Sequence, residues 1–133
     1  LDDEGIDIFL IGDSLGMVIQ GFDSTIPVSI DDINYHMECC IRTSKRALIL
    51  ADMPFGTYQG NSKKALDSAI RIMKETGGHS VKLEGGDEIL DSIKRILSAG
   101  IPVMGHLGLT PQSIYQFGSY TVRAKEEAEA KKE

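Results

Sequence analysis

Four short apolar runs in this sequence each lead into a residue that can do acid, base or metal chemistry. Ile6 to Gly12 runs into Gly12-Asp13-Ser14, and Ala47 to Ala51 into Asp52-Met53-Pro54-Phe55. Ser80 to Leu83 runs into Glu84-Gly85-Gly86, and Ile101 to Met104 into Gly105-His106-Leu107-Gly108. Three carboxylates gathered in one place repel one another unless a cation joins them. An oxygen-only donor set with no thiolate suits a hard ion such as Mg²⁺, which keeps waters and often takes only one or two carboxylates. Asp13, Asp52 and Glu84 are therefore the candidate metal site. Taken singly, each would serve equally well as a helix cap or a lysine partner. It is their recurrence at successive strand ends that favours a shared site.

Lys82 and Glu84 stand two apart on one run, so they share a face while Val81 and Leu83 share the other. If the apolar pair packs against helices, the charged pair points the opposite way, and a lysine there needs a carboxylate partner. That partner is either Glu84, in a structural ion pair, or an anionic substrate. Ser14 follows Asp13 directly; its hydroxyl or backbone N–H is placed to hold a substrate carboxylate, or it simply shapes the turn. His106, in a glycine-rich stretch, is a candidate hydrogen-bond partner for a substrate carbonyl. His36, in a helical pattern, and His79, just before a strand, read as surface or packing residues. No Ser/His/Asp order, zinc spacing, phosphate-binding loop or dinucleotide fingerprint is present.

The elements that must position these groups follow from pattern. The four apolar runs have strand length and alternate only partly, as strands buried on both faces do. Between them lie helical patterns. The first, about Asp31 to Arg42, turns Ile33, Met37, Cys40 and Ile41 to one side, with Ser29 and Asp32 as a capping box. The second, about Lys63 to Glu75, places Leu66, Ala69, Ile70 and Met73 on one stripe, with Ser62 as cap and Gly77-Gly78 as the stop. The third, about Glu88 to Ser98, uses Ile89, Leu90, Ile93 and Leu97 and stops at Gly100. A fourth opens with Thr110 as cap and Pro111 in the first position. Strand and helix alternating at this spacing predicts βαβ units on a parallel sheet, either a doubly wound open sheet or part of a (β/α)₈ barrel. In both, active sites lie at the C-terminal ends of the strands.

Composition narrows the class. The formal net charge of −6 argues against a nucleic-acid partner, which needs a basic face. No apolar run approaches the ~20 residues of a membrane helix, and no signal-peptide pattern opens the chain. The two cysteines, Cys39 and Cys40, are adjacent and form no spaced framework, which fits a reducing cytoplasm. Leu1 to Gly5 reads as a helix tail stopped by glycine. The charged end from Lys125 to Glu133, with Glu127 four residues before Lys131, reads as an exposed helix.

These motifs carry a resemblance. Ile11-Gly12-Asp13-Ser14-Leu15-Gly16-Met17, continuing through Gln20-Gly21-Phe22-Asp23-Ser24-Thr25 to Pro27-Val28, resembles the opening signature of the ketopantoate (3-methyl-2-oxobutanoate) hydroxymethyltransferases. So do Ala51-Asp52-Met53-Pro54-Phe55 and Val81-Lys82-Leu83-Glu84-Gly85-Gly86. The longest match runs from Ile101-Pro102-Val103-Met104-Gly105-His106 through Leu107-Gly108-Leu109-Thr110-Pro111-Gln112-Ser113. The resemblance implies a (β/α)₈ TIM barrel of the phosphoenolpyruvate mutase/isocitrate lyase-like type, of which residues 1–133 form one partial domain holding strands 2–5. It implies transfer of a one-carbon unit from 5,10-methylenetetrahydrofolate to 3-methyl-2-oxobutanoate by an Mg²⁺-dependent enolate mechanism, giving 2-dehydropantoate for pantothenate and coenzyme A. By motif position it makes Asp13, Asp52 and Glu84 metal acids. It makes Asp13, Ser14, Asp52, Lys82 and His106 substrate contacts, with His106 in a supporting catalytic role. It further implies a cytoplasmic homo-oligomer, typically a decamer.

Two departures stand beside it. After Phe117-Gly118 the family's glycine, Tyr-Lys and Gly-Arg sequence is replaced by Ser119-Tyr120-Thr121-Val122-Arg123-Ala124-Lys125, which alters the loop 118–125. The family's proton-abstracting glutamate falls beyond Glu133, and its first strand before Leu1. The chain accordingly reads as about half of a barrel that needs roughly 250 residues, truncated at both ends and inactive alone for want of its base. The alternatives are a non-catalytic, self-associating barrel fragment and an Mg²⁺-dependent carbon–carbon lyase or mutase of the same superfamily.

Overall fold

The computed structural model describes residues 1–118. The helix expected over Lys125 to Glu133, and all of the altered loop after Gly118, lie outside the described residues. Four strands, β1 (Ile8–Ile11), β2 (Leu48–Asp52), β3 (Ser80–Glu84) and β4 (Val103–His106), form one sheet in the order β1-β2-β3-β4. Every neighbouring pair is parallel. The connecting helices are α1 (Leu15–Val18), α2 (Ile30–Thr43), α3 (Ser62–Thr76) and α4 (Leu90–Ser98), followed after β4 by α5 (Ile114–Phe117). Short 3₁₀ turns at Asp87–Ile89 and Pro111–Ser113 lead into α4 and α5. β4 starts two residues later than the apolar run because Pro102 has no N–H to give the ladder; its carbonyl instead accepts from Val81 and from the Ser80 hydroxyl.

Sequential order has a direct consequence. Each crossover steps the same way along the sheet, and right-handed crossovers then lay their helices on a single face. Ile11, Ile49, Ala51, Val81 and Leu83 from the strands meet Ile33 and Met37 of α2, Ala65, Ala69 and Ile72 of α3, and Ile96 of α4 in one core. Each fully buried aliphatic side chain of this size contributes roughly 1.5–3 kcal/mol. The register aligns the opposite face into rows: Leu10 beside Leu50 beside Ser80, then Asp52 beside Lys82 beside Met104. That face is apolar at its N-terminal side and charged at its C-terminal side. Ile8, Leu10, Leu48 and Met104 on it are 44%, 47%, 37% and 37% exposed.

The helix faces depart from expectation in an instructive way. On α3 the buried positions are Ala65, Ser68, Ala69, Ile72 and Thr76, while Leu66 is half-buried and Ile70 exposed. On α4 they are Ser92 and Ile96, with Ile89 just ahead; Leu90 and Leu97 are exposed. Hydrophobicity ranks Leu and Ile above Ala and Ser. Packed between α2 and α4, α3 turns its small residues inward instead, because they permit the helices to approach closely. On α2 the expected face holds: Ile33 and Met37 are buried, and Cys40 and Ile41 pack at its edge.

The caps divide similarly. Ser29 and Asp32 form the capping box of α2 as expected. The cap of α3 is Asn61, whose side chain accepts from the Lys64 N–H at 3.0 Å, and not Ser62, which is the first helical residue. Thr110 precedes the 3₁₀ turn without a side-chain capping bond. Gly77 ends α3 in the left-handed region at φ 72°, whereas Gly78 is small for another reason: a Cβ there would stand 1.9 Å from Met37 Cε. Leu1 to Gly5 forms a turn, and Asp2 within it accepts from the N–H groups of Lys45, Arg46 and Ala47. Those bonds hold its carboxyl down at about 2. Among the described residues no helix is long and apolar enough to cross a membrane.

Asn61→Ala is expected to cost about 1 kcal/mol of stability, the usual value of an N-cap, and Ser62→Ala only a few tenths. Urea unfolding of both variants checks this, and equal losses would put the cap back at Ser62.

Candidate metal and substrate site

The charged end of the open face is built from consecutive strand ends. Asp52 and Lys82 are register partners on β2 and β3, and Glu84 and His106 on β3 and β4. Asp13 follows β1. Asp13, Asp52, Lys82 and Glu84 are all buried, and His106 is half-buried. Lys82 Nζ lies 2.6 Å from Asp52 Oδ1 and 3.3 Å from Glu84 Oε1. The ion pair with Glu84 that the two-residue spacing allowed is therefore present, and the shorter one runs to Asp52. An ammonium has three donors, so one remains for a further acceptor.

Glu84 is fully engaged. Its Oε1 receives Lys82 and His106 Nδ1, the latter at 3.0 Å, and its Oε2 accepts the Gln112 backbone N–H at 3.1 Å. Because a carboxylate only accepts, His106 must carry its proton on Nδ1, which leaves Nε2 as an acceptor in the neutral ring and a donor only in the imidazolium. Asp52 Oδ2 accepts the Asp13 backbone N–H at 3.3 Å. Asp13 Oδ2 accepts from Gln112 Nε2 at 2.9 Å, and among the described residues its Oδ1 accepts nothing. Ser14 is exposed at the start of α1, and its side chain makes no capping bond. His36 stacks edge-on with Tyr35, and His79 accepts the Ile49 N–H through Nδ1, the packing roles expected of both.

Two residues that the strand-end pattern did not single out hold this cluster together. Gln112, buried in the turn after β4, reaches back to Asp13 and, through the same amide nitrogen, to the Met53 carbonyl at 2.9 Å. In a flat sheet β1 and β4 would lie about 14 Å apart, so the segment after β4 folds across the strand ends. Tyr58, fully buried in the β2–α3 connection, accepts from the Glu84 N–H at 3.0 Å and sets its hydroxyl 2.7 Å from Gln112 Oε1. Burial, above all, pushes the Tyr58 phenol up, so it stays protonated. Gln112 was visible only as a member of a longer motif, and Tyr58 had no periodic or spacing signal.

Electrostatics then tests the cation. Three buried carboxylates face one ammonium. Burial first, then the charge of Asp52, pushes the Asp13 carboxyl from 3.8 up to about 6. Asp52 is also raised, by burial against the pull of Lys82. Among the described residues no three His, Cys, Asp or Glu side chains converge closely enough to enclose a metal unaided. Lys82 stands between Asp52 and Glu84, and Gln112 between Asp13 and Glu84. What remains is Asp13 and Asp52, linked through one hydrogen bond and short of positive charge. Such a set fits a hard cation held by two carboxylates with water completing its shell.

The sequence model of the ketopantoate hydroxymethyltransferase family matches residues 1–132. Proteins named 3-methyl-2-oxobutanoate hydroxymethyltransferase from Christiangramia forsetii, Flavobacterium johnsoniae and Cytophaga hutchinsonii are 61%, 59% and 59% identical over 132 residues. The alignments cover 99% of this chain and 48% of each relative, so the chain spans about half the length of the curated relatives it matches.

An acid whose folded pKa exceeds its unfolded one stabilises the protein while protonated. For Asp13 that contribution is complete below the unfolded value of 3.8 and is lost as pH climbs through about 6. In chelator, Asp13→Asn is therefore expected to raise the thermal unfolding midpoint at pH 8, with the gain fading toward pH 4. A lower midpoint at pH 8 would show that Asp13 is not strained by its neighbours.

Proposed function

The chain belongs to the ketopantoate hydroxymethyltransferase family, and on that premise we propose that the protein transfers a one-carbon unit from 5,10-methylenetetrahydrofolate to 3-methyl-2-oxobutanoate, giving 2-dehydropantoate. The observation that carries the reading is the buried cluster of Asp13, Asp52 and Glu84 around Lys82. Asp13 and Asp52 would hold Mg²⁺, with Glu84 behind them fixing Lys82 and His106. Bound there, Mg²⁺ supplies Lewis-acid polarisation of the 2-oxo acid's carboxylate and ketone.

The chain's own residues do the rest of the ground-state work. Lys82, with one donor to spare, stabilises negative charge growing on the ketone oxygen. Ser14, exposed beside Asp13, offers its hydroxyl and the start of α1 to the substrate carboxylate. His106, its Nδ1 held by Glu84, would offer Nε2 to the substrate, donating to an oxygen when the ring is doubly protonated. Removal of the C3 proton is assigned to the glutamate that the family resemblance places after Glu133.

The same reading makes the sheet part of a (β/α)₈ barrel of the phosphoenolpyruvate mutase/isocitrate lyase-like type. Unreversed strand order, helices on one face, and half-exposed Ile8, Leu10, Leu48 and Met104 on the other support it. A closed barrel would bury that apolar row. A homo-oligomeric assembly, typically a decamer, and a cytoplasmic setting belong with the family reading; exposed Leu90 and Leu97 on α4 are available to an interface.

The full-length gene product, given both substrates and Mg²⁺, is expected to form 2-dehydropantoate, and Asp52→Ala to lower kcat/KM by about 10²–10³-fold, the usual loss when one electrostatic contributor to a transition state is removed. Product analysis by mass spectrometry checks this; turnover unaffected by chelator would overturn the metal assignment. Residues 1–133 alone are expected to bind Mg²⁺ yet leave the C3 proton of 3-methyl-2-oxobutanoate unexchanged in deuterium oxide. Exchange above the buffer rate, followed by NMR, would place a competent base within the chain.

A further inference from the structure

We propose that Gln112 and Tyr58 act as a pair of positioning residues that set Asp13 in place for the cation and fix Glu84 behind it, an inference that rests on the metal-site reading above. The argument begins with how completely Gln112 is used. Its two amide N–H donors meet Asp13 Oδ2 and the Met53 carbonyl, both at 2.9 Å. Its Oε1 accepts from the Tyr58 hydroxyl at 2.7 Å and from Gln59 Nε2 at 3.2 Å. Its backbone N–H goes to Glu84 Oε2 at 3.1 Å. The amide orientation is dictated by its partners, because a carboxylate and a carbonyl can only accept.

One residue therefore touches Asp13, Glu84 and the peptide that follows Asp52. These groups come from the ends of three different strands, 99, 28 and 59 positions away in sequence. A side chain that merely filled space would not direct its polar atoms at the acids. Tyr58 completes the circuit. It accepts the Glu84 N–H, and its hydroxyl donates to Gln112 Oε1 at 2.7 Å with the Glu84 carbonyl a longer second acceptor at 3.2 Å, so the amide is held from one end while it holds Asp13 from the other. The Tyr58 backbone is fixed in turn, its carbonyl accepting from the Ser92 hydroxyl at 2.8 Å. In such a circuit both ends of the Gln112 amide are satisfied, and each bond polarises the next. Its effect on Asp13 is orientational: with Oδ2 tied to Gln112, Oδ1 is the oxygen presented to the cation. Partners of this kind behind metal ligands change metal affinity by about 10–100-fold when removed.

The test is magnesium binding by calorimetry in the purified protein, with no substrate, well below every unfolding midpoint. Gln112→Met keeps the volume and removes both amide donors and the acceptor. It is expected to weaken the Mg²⁺ dissociation constant at least tenfold in a folded protein, as judged by circular dichroism. Tyr58→Phe removes one hydroxyl and is expected to weaken it a few-fold. A residue needed only for stability would lower the unfolding midpoint and leave the dissociation constant unchanged, and that result in folded Gln112→Met overturns the proposal. Should Gln112→Met fail to fold, an unchanged dissociation constant in Tyr58→Phe overturns it instead. Asp13→Asn separates the two levels: if it leaves Mg²⁺ binding intact, the metal-site reading itself fails. If it abolishes binding while Gln112→Met does not, only the positioning proposal falls.

Discussion

Among the described residues Lys82 is the one buried ammonium beside three buried carboxylates, 2.6 Å from Asp52 and 3.3 Å from Glu84. Desolvation makes each of these charges expensive, and removing the ammonium typically costs about 3–5 kcal/mol because buried carboxylates are left without a partner. Burial above all, with the neighbouring carboxylates adding to it and Lys82 only partly offsetting it, holds Asp13 and Asp52 above the ordinary carboxylate range. A protein that folds this way accepts a local penalty at the C-terminal ends of its strands.

The rest of the structure supplies the stability that lets this arrangement persist. Val81 and Leu83 alternate with Lys82 and Glu84 on β3, so the strand that carries the charges also drives aliphatic side chains into the helix-side core. Every residue of β3 is buried. The small residues of α3, Ala65, Ser68 and Ala69, are buried where that helix packs between α2 and α4. The larger Ile70, Leu90 and Leu97 are left facing outward.

Polar satisfaction at the strand ends is a property of the connections, not of the strands. The β2–α3 connection contributes Tyr58 and the turn after β4 contributes Gln112, and these meet across the tops of β2 and β3. Strand ends provide the reactive groups; loops decide how those groups are aimed. Membership of the hydroxymethyltransferase family agrees with this division, since the matched region carries both the strand-end acids and the connections that orient them.

Much of this was legible in the residues themselves. Four apolar runs of strand length, separated by helical patterns, specified a parallel α/β sheet because each run needed to be buried on both faces. Asp13, Asp52, Glu84 and His106 were found because a parallel sheet carries all its C-terminal ends to one side, so residues at those ends meet whatever the loops do. The family was legible from the motifs around them. Strand order was decided only by the tertiary structure, since periodicity says nothing of which strands pair. So was part of the inward face of α3 and α4: Ala69, Met73, Ile89 and Ile93 meet the core as their spacing implied, whereas Ile70, Leu90 and Leu97 face outward. The caps fell on both sides: Ser29 with Asp32 was readable from local spacing, whereas Asn61 over Ser62 depended on where the chain leaves its loop. The roles of Tyr58 and Gln112 were invisible for the same reason. A hydrogen bond between residues 54 positions apart leaves no trace in spacing and exists only once the sheet has brought its strand ends together.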